Sequence, residues 1–188
     1  MSTADMGSDD RADQSVEEPA THPAARSGRR TGLTGVVAVV AVITVILDQA
    51  TKAWALHAIG DGQVIHVVGS VLQLQLVRNT GAAFSIGSGN TIVMTAVAVC
   101  VILVVLRSAR NLGSRMWAVM FGLIVGGAIG NLIDRFARPP GHGRGAVIDF
   151  IDYGGLFVGN VADIAIDGAS CAVAILAWRG IPLGSGTR

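Results

Sequence analysis

Along this chain, hydrophobic and polar residues are segregated into whole segments. A polar stretch over residues 1–30 gives way to four long apolar runs, at about 33–53, 91–106, 116–133 and 161–178, with polar connections between them. A helix needs about 20 apolar residues, and 17 can suffice, to cross a hydrocarbon core roughly 30 Å thick. Each run is therefore a candidate membrane span, the second being the shortest. Within the connection between the first two runs the period changes. Leu72-Gln73-Leu74-Gln75-Leu76-Val77 alternates apolar and polar residues, and Val64-Ile65-His66-Val67-Val68 precedes it across Gly69-Ser70. A period of two belongs to a half-exposed strand, so a small β element is predicted against the membrane surface. The connection over 136–159 contains Pro139-Pro140-Gly141 and five further glycines, and is predicted to be irregular. The expected fold is an all-α membrane protein, a bundle of four transmembrane helices with a small extracytoplasmic β element. Its expected organisation is a tail over 1–30, a four-span domain over 31–180 and a short tail over 181–188.

Composition agrees with the pattern and removes several function classes. The chain is 51% hydrophobic and only 14% charged, with a mean hydropathy of +0.57, which argues against a water-soluble domain. A net charge of +1, without a basic patch interleaved with aromatics, gives no reason to expect a nucleic-acid partner. The first 30 residues are polar and poor in aromatics and are expected to be disordered. The first apolar run begins too far from the start to read as a cleavable signal, so it is expected to remain as an anchor. Cys100 and Cys171 lie inside apolar runs and read as small apolar fillers. His22, His57, His66 and His142 are scattered singly, which argues against a metallohydrolase, and no metal or cofactor is expected. Basic residues set the orientation. Arg26, Arg29, Arg30, Arg107, Arg110, Arg115, Arg179 and Arg188 fall on one side, against Lys52, Arg78, Arg135, Arg138 and Arg144 on the other, so both termini are expected to be cytoplasmic.

The acidic residues carry the candidate chemistry. After residue 30 there are seven, all aspartates: Asp48, Asp61, Asp134, Asp149, Asp152, Asp163 and Asp167. Carboxylates in an apolar body need partners or uses. Asp48 and Lys52 stand four apart on one helical face, the spacing of an ion pair. Asn131, Asp134 and Arg135 follow the run Gly126-Gly127-Ala128-Ile129-Gly130, whose glycines four apart suit close helix packing. Asp149, Asp152, Asp163 and Asp167 share one short window around the start of the fourth span. In the first turn of that span Asp163 is favoured by the helix dipole without any chemistry, next to the capping candidate Asn160. The same cluster, with no Ser/His or Cys/His pair, also suits a two-aspartate hydrolase, in which one carboxyl keeps its proton while the other accepts one from water. A relay of intramembrane aspartates in a small transporter or proton-conducting protein is the competing reading. Spacing alone does not choose among these, nor among the four aspartates.

Five blocks go further when taken in order: Asp48-Gln-Ala-Thr-Lys52, Arg78-Asn-Thr-Gly-Ala-Ala-Phe-Ser85, Gly126-Gly-Ala-Ile-Gly-Asn-Leu-Ile-Asp-Arg135, Val147-Ile-Asp-Phe150 and Asn160-Val-Ala-Asp163. Together they resemble the sequence blocks of bacterial lipoprotein signal peptidases, the signal peptidase II family, over about residues 33–179. The resemblance implies an inner-membrane aspartic endopeptidase. Such an enzyme removes signal peptides from diacylglyceryl-modified prolipoproteins on the amino side of the lipidated cysteine, with membrane lipids around it and no nucleic acid. It also implies that the catalytic pair falls on Asp149 and Asp163, supported by Asp48, Lys52, Asn79, Gly81, Asn131, Asp134, Arg135 and Asn160. Arg78-Asn79-Thr80-Gly81 is expected to clamp the extended substrate. Two departures stand out: Gly159, where the family is often aromatic, and Asp167, an additional carboxylate one turn beyond Asp163.

Overall fold

A computed structural model of the chain describes residues 24–81 and 91–184. It contains α1 (Ala24–Ala58), β1 (Val64–Val68), β2 (Leu72–Asn79), α2 (Thr91–Ala109), α3 (Arg115–Ala137), β3 (Val147–Asp152), β4 (Val158–Gly159) and α4 (Val161–Trp178). All four helices contain stretches long and apolar enough to cross a membrane, and they fall on the four apolar runs. α1 already begins at Ala24, so the end of the segment expected as a tail is helical. Residues 1–23 and 185–188 lie outside the described residues, as does Ala82-Ala83-Phe84-Ser85 of the second sequence block.

Large apolar side chains point outward, as they do where the solvent is lipid. Val39, Val42, Ile43, Ile46 and Leu47 of α1 and Leu103 and Val104 of α2 are all exposed. The free cysteines, Cys100 on α2 and Cys171 on α4, are exposed too. α3 is the central helix and the most buried of the four. Its glycines explain how the others approach it. A Cβ at Gly122 would lie 2.7 Å from Cβ of Val40, and one at Gly126 would lie 2.6 Å from Cβ of Thr44, both on α1. At Gly127 a Cβ would come within 2.7 Å of the Ala162 carbonyl oxygen on α4. Gly130 continues the series, because a Cβ there would strike the carboxylate of Asp48. The packing role read from the 126–130 run is what these contacts describe, with Gly122 extending it by one turn.

The local signals set the helix ends. Ser114 caps α3, its hydroxyl accepting the Met116 N–H at 3.2 Å. α3 stops at Ala137, just ahead of Pro139-Pro140, neither of which can donate to a continuing helix. The chain then folds back over the end of α3. There the N–H of Gly145 bonds the Arg135 carbonyl at 2.9 Å, in a space where a Cβ would meet three carbonyl oxygens within 2.9 Å.

One expectation is corrected at this point. The connection over 136–159 is not wholly irregular, since it supplies β3 and β4, and the sheet is four-stranded and antiparallel in the order β1-β2-β3-β4. β2 pairs with β3, setting Val77 opposite Asp149 and Asn79 opposite Val147, with a shift in register between Leu74 and Val77. The four residues Val147–Phe150 are buried, so β3 lacks the alternation that marks a half-exposed strand. The sheet closes the end of the bundle formed by the C-termini of α1 and α3 and the N-termini of α2 and α4.

Candidate active site

The sheet end of the bundle holds a buried polar network built around Lys52. Its ammonium meets three acceptors, Oδ2 of Asp48 at 2.9 Å, Oδ2 of Asp134 at 2.8 Å and Oδ1 of Asn131 at 2.8 Å. Three donors and three acceptors satisfy the group completely, which is what a fully enclosed lysine requires. Both carboxylates have further work. Asp48 accepts the otherwise unpaired N–H of Ala162 in the first turn of α4 at 3.1 Å and the Gln49 side-chain amide at 3.0 Å. Asp134 accepts the Ile148 N–H of β3 at 3.2 Å and Nε of Arg138 at 2.6 Å. With Arg138 included, two negative and two positive charges balance. The expected Asp48–Lys52 ion pair is present, as part of a network that ties α1, α3, α4 and β3 together.

From Lys52 the network passes through amides to Asp149 and Asp163. Because Lys52 can only donate, Oδ1 of Asn131 must face it, and Nδ2 of Asn131 then donates to Oδ1 of Asp163 at 2.9 Å. Asn160 touches both aspartates. Its Nδ2 donates to Oδ1 of Asp149 at 2.6 Å, and its backbone N–H donates to Oδ2 of Asp163 at 3.1 Å. Its Oδ1 accepts the Asp163 N–H at 3.1 Å, so Asn160 and Asp163 form a capping box at the start of α4. The capping account of Asp163 is thus present alongside its place in the cluster.

The far oxygen of Asp149, Oδ2, accepts Nδ2 of Asn79 at 2.9 Å. Asn79 is oriented in turn by the Gly81 N–H, which donates to its Oδ1 at 2.8 Å. Gly81 has φ +101°, a conformation that side chains rarely adopt, and this accounts for a glycine there. Arg78, the first residue of the expected clamp, points elsewhere and pairs with Asp61 at 2.8 Å on the exposed side of the sheet.

Burial dominates the electrostatics of Asp149. It pushes the carboxyl up from its ordinary value near 3.8 to about 6, against the amides of Asn160 and Asn79 and with added repulsion from Asp163. Arg135 lies within electrostatic reach of Asp149, Asp163 and Asp134, yet among the described residues its buried Nη1 has no hydrogen-bond partner. Arg135 and Asn131 form the polar end of a cleft of about 220 Å³ between α2, α3 and α4, whose remaining walls are apolar, among them Met94, Val97, Ala128 and Ile166. This arrangement offers a pair of carboxylates held by amides at the head of a greasy groove. The buried ionisable groups gather at one end of the bundle and do not follow its depth, so a transport relay is not favoured.

Apart from Arg78 of the expected clamp, the catalytic and supporting residues expected from the resemblance fall within this network or at its edge. Gln49 and Arg138 were not singled out. Gln49 lies inside a recognised block and Arg138 is spaced i, i+4 from Asp134, the one sequence signal available. Asp152 binds the Gly155 N–H at 2.7 Å and closes the turn between β3 and β4.

Comparison with known proteins identifies the family. A lipoprotein signal peptidase of Leifsonia xyli subsp. xyli is 45% identical over 139 residues, a match spanning 73% of this chain and 64% of that protein. One from Mycobacterium avium is 41% identical over 166 residues, spanning 87% and 90%. Two solved structures described as a bacterial membrane enzyme, obtained by the in meso method at 1.9 and 2.3 Å resolution, superpose with TM-scores of 0.65 and 0.66, each at 26% identity. They cover 76% and 82% of this chain and 92% and 94% of their own. The sequence model described as Signal peptidase (SPase) II matches residues 40–181, which hold all ten expected site residues, and the chain belongs to the signal peptidase II family.

Proposed function

We propose that this protein is a membrane aspartic endopeptidase that removes signal peptides from diacylglyceryl-modified prolipoproteins, with Asp149 and Asp163 as its catalytic pair. The observation that carries the assignment is Asn160, which bonds both carboxylates at once, next to Asn131, which bonds Asp163 and lines the polar end of the apolar cleft. In a coupled pair of this kind one proton is shared near neutral pH. The ionised carboxylate takes a proton from a water molecule as that water attacks the scissile carbonyl, and the protonated one donates to the carbonyl oxygen. A gem-diol forms. It collapses as the pair returns a proton to the departing amine, which belongs to the lipidated cysteine. Arg135 Nη1, a buried donor with no partner among the described residues, is suited to bind a substrate carbonyl.

A signal peptide is itself an apolar helix, and it reaches the site laterally along the groove between α2 and α4. In this reading the sheet end faces away from the cytoplasm, in the bacterial inner membrane, and both termini are cytoplasmic. Conversion of a diacylglyceryl-modified prolipoprotein to its shorter form tests the assignment. Asp149→Asn and Asp163→Asn should each abolish conversion while still inserting into the membrane, and processing by either variant at the normal rate contradicts the pair. Orientation is tested in a Cys100→Ala, Cys171→Ala background with a membrane-impermeant maleimide on intact cells. Ser70→Cys should label and Asn111→Cys should not; the opposite pattern reverses the topology.

A further inference from the structure

Asp167, one turn below Asp163 on α4, has no place in that chemistry. It is exposed and, among the described residues, has neither a hydrogen bond nor an ion pair. A lone carboxylate in an apolar membrane helix is costly and calls for a partner. Its position is constrained from two sides. Its chain neighbour Ile166 lines the cleft that ends at Asn131 and Arg135. Its charge, like that of Asp163, also reaches Tyr153, whose phenol is pushed above its ordinary value by burial first and then by these two carboxylates. Tyr153 stacks on Phe157 at 4.5 Å between ring centres, next to the start of α4. Asp163, Ile166 and Asp167 follow one another at i, i+3 and i+4 along one stripe of α4, which sets the Asp167 acceptor beside the cleft wall that Ile166 forms, while the Arg135 Nη1 donor on α3, unpaired among the described residues, stands at the polar end of the same cleft.

A substrate helix arrives with its backbone groups internally bonded, but a peptide bond is cleaved in an extended segment. Unwinding at the head of the groove frees N–H and C=O groups at a depth where water is scarce, and each needs a replacement partner. Resting on the peptidase reading above, we propose that Asp167 is a substrate-binding residue. Its carboxylate accepts a backbone N–H of the unwound signal peptide while Arg135 takes a neighbouring carbonyl. The four-residue offset from Asp163 is about 6 Å along the helix. An extended strand covers that in about two residues, so the bonded N–H lies about two residues before the cleaved bond.

The test uses the full-length protein in detergent micelles and a synthetic lipobox peptide carrying a diacylglyceryl cysteine. Asp167→Leu should raise KM about tenfold with kcat within about twofold, and Asp167→Asn, which keeps an acceptor oxygen, should recover part of the loss. N-methylation of the peptide two residues before the cleaved bond should weaken binding to the wild type about tenfold and add nothing with Asp167→Leu. Misfolding is excluded by thermal stability, since the leucine variant should be at least as stable as the wild type. An unchanged KM, a loss confined to kcat, or an N-methyl penalty of equal size in both proteins overturns the proposal. The Kd of the same peptide on Asp149→Asn, with and without Asp167→Leu, reads the contact without cleavage. About tenfold weakening there supports the contact even if the wild type fails to cleave, a failure that would count against the peptidase reading instead, and an equal Kd overturns the contact.

Discussion

Asp149 carries a signature of its environment that can be measured without substrate. Its folded-state value of about 6 lies above the ordinary 3.8, so the folded protein holds this proton more tightly than the unfolded chain. The contribution to stability is fully present below about pH 4 and is lost as pH rises through about 6. A shift of roughly two units corresponds to about 3 kcal/mol as an upper figure. Asp149→Asn cannot ionise and should therefore have a higher unfolding midpoint than the wild type at pH 8, with the difference closing toward pH 4. A variant less stable than the wild type at pH 8 contradicts the burial account. Lys52 has the reverse logic, because its charge is matched and its absence is not. Lys52→Met leaves Asp48 and Asp134 enclosed without their shared cation, at a cost of about 3–5 kcal/mol in stability. Lys52→Arg should not rescue it, since a planar fork does not fit three acceptors that converge on one point. Folded yield and the thermal midpoint in detergent read both changes.

Each structural element positions the pair in a distinct way. α4 supplies Asn160 and Asp163 through its own capping box, and its first turn is held against α1 by the bond from Ala162 N–H to Asp48. β3 delivers Asp149 because it pairs with β2, and the same pairing brings Asn79 to the far oxygen of that carboxylate. The glycine face of α3 then sets how closely α1 and α4 approach. Gly126→Ala places a methyl 2.6 Å from Cβ of Thr44 and should cost about 1–3 kcal/mol, with activity falling as the Lys52 network spreads. Gly168→Ala on α4, where nothing lies within 4 Å, is the control and should be neutral or slightly stabilising. Equal thermal midpoints for the two variants would mean that the close approach of α1 and α3 does not matter.

Across the whole molecule, long-period signals were legible in the sequence and contacts between distant segments were not. The four spans followed from apolar run length, and the small β element from the period of two over 72–77. β3 was hidden because its buried residues do not alternate and because Pro139-Pro140-Gly141 beside it reads as irregular chain. The i, i+4 spacing of Asp48 and Lys52 revealed their pairing. Spacing could not reveal that Asp134, Asn131 and the start of α4 converge on the same two groups, because those contacts join residues about 80 to more than 110 positions apart. Family resemblance chose Asp149 and Asp163 where spacing left four candidates. The structure adds the bonds by which Asn160 links that pair, and it leaves Asp152 in a turn and Asp167 without a partner among the described residues.

The most direct measurement of the central claim is the cleavage rate of a diacylglyceryl-modified prolipoprotein by Asp149→Asn, Asp163→Asn and the double variant. Two carboxylates acting as one unit predict a loss of at least about 10³-fold in kcat/KM for each single change, and a double variant no slower than the weaker of the two. Wild-type rates within about tenfold for either single variant, or losses that multiply in the double variant, would contradict the account.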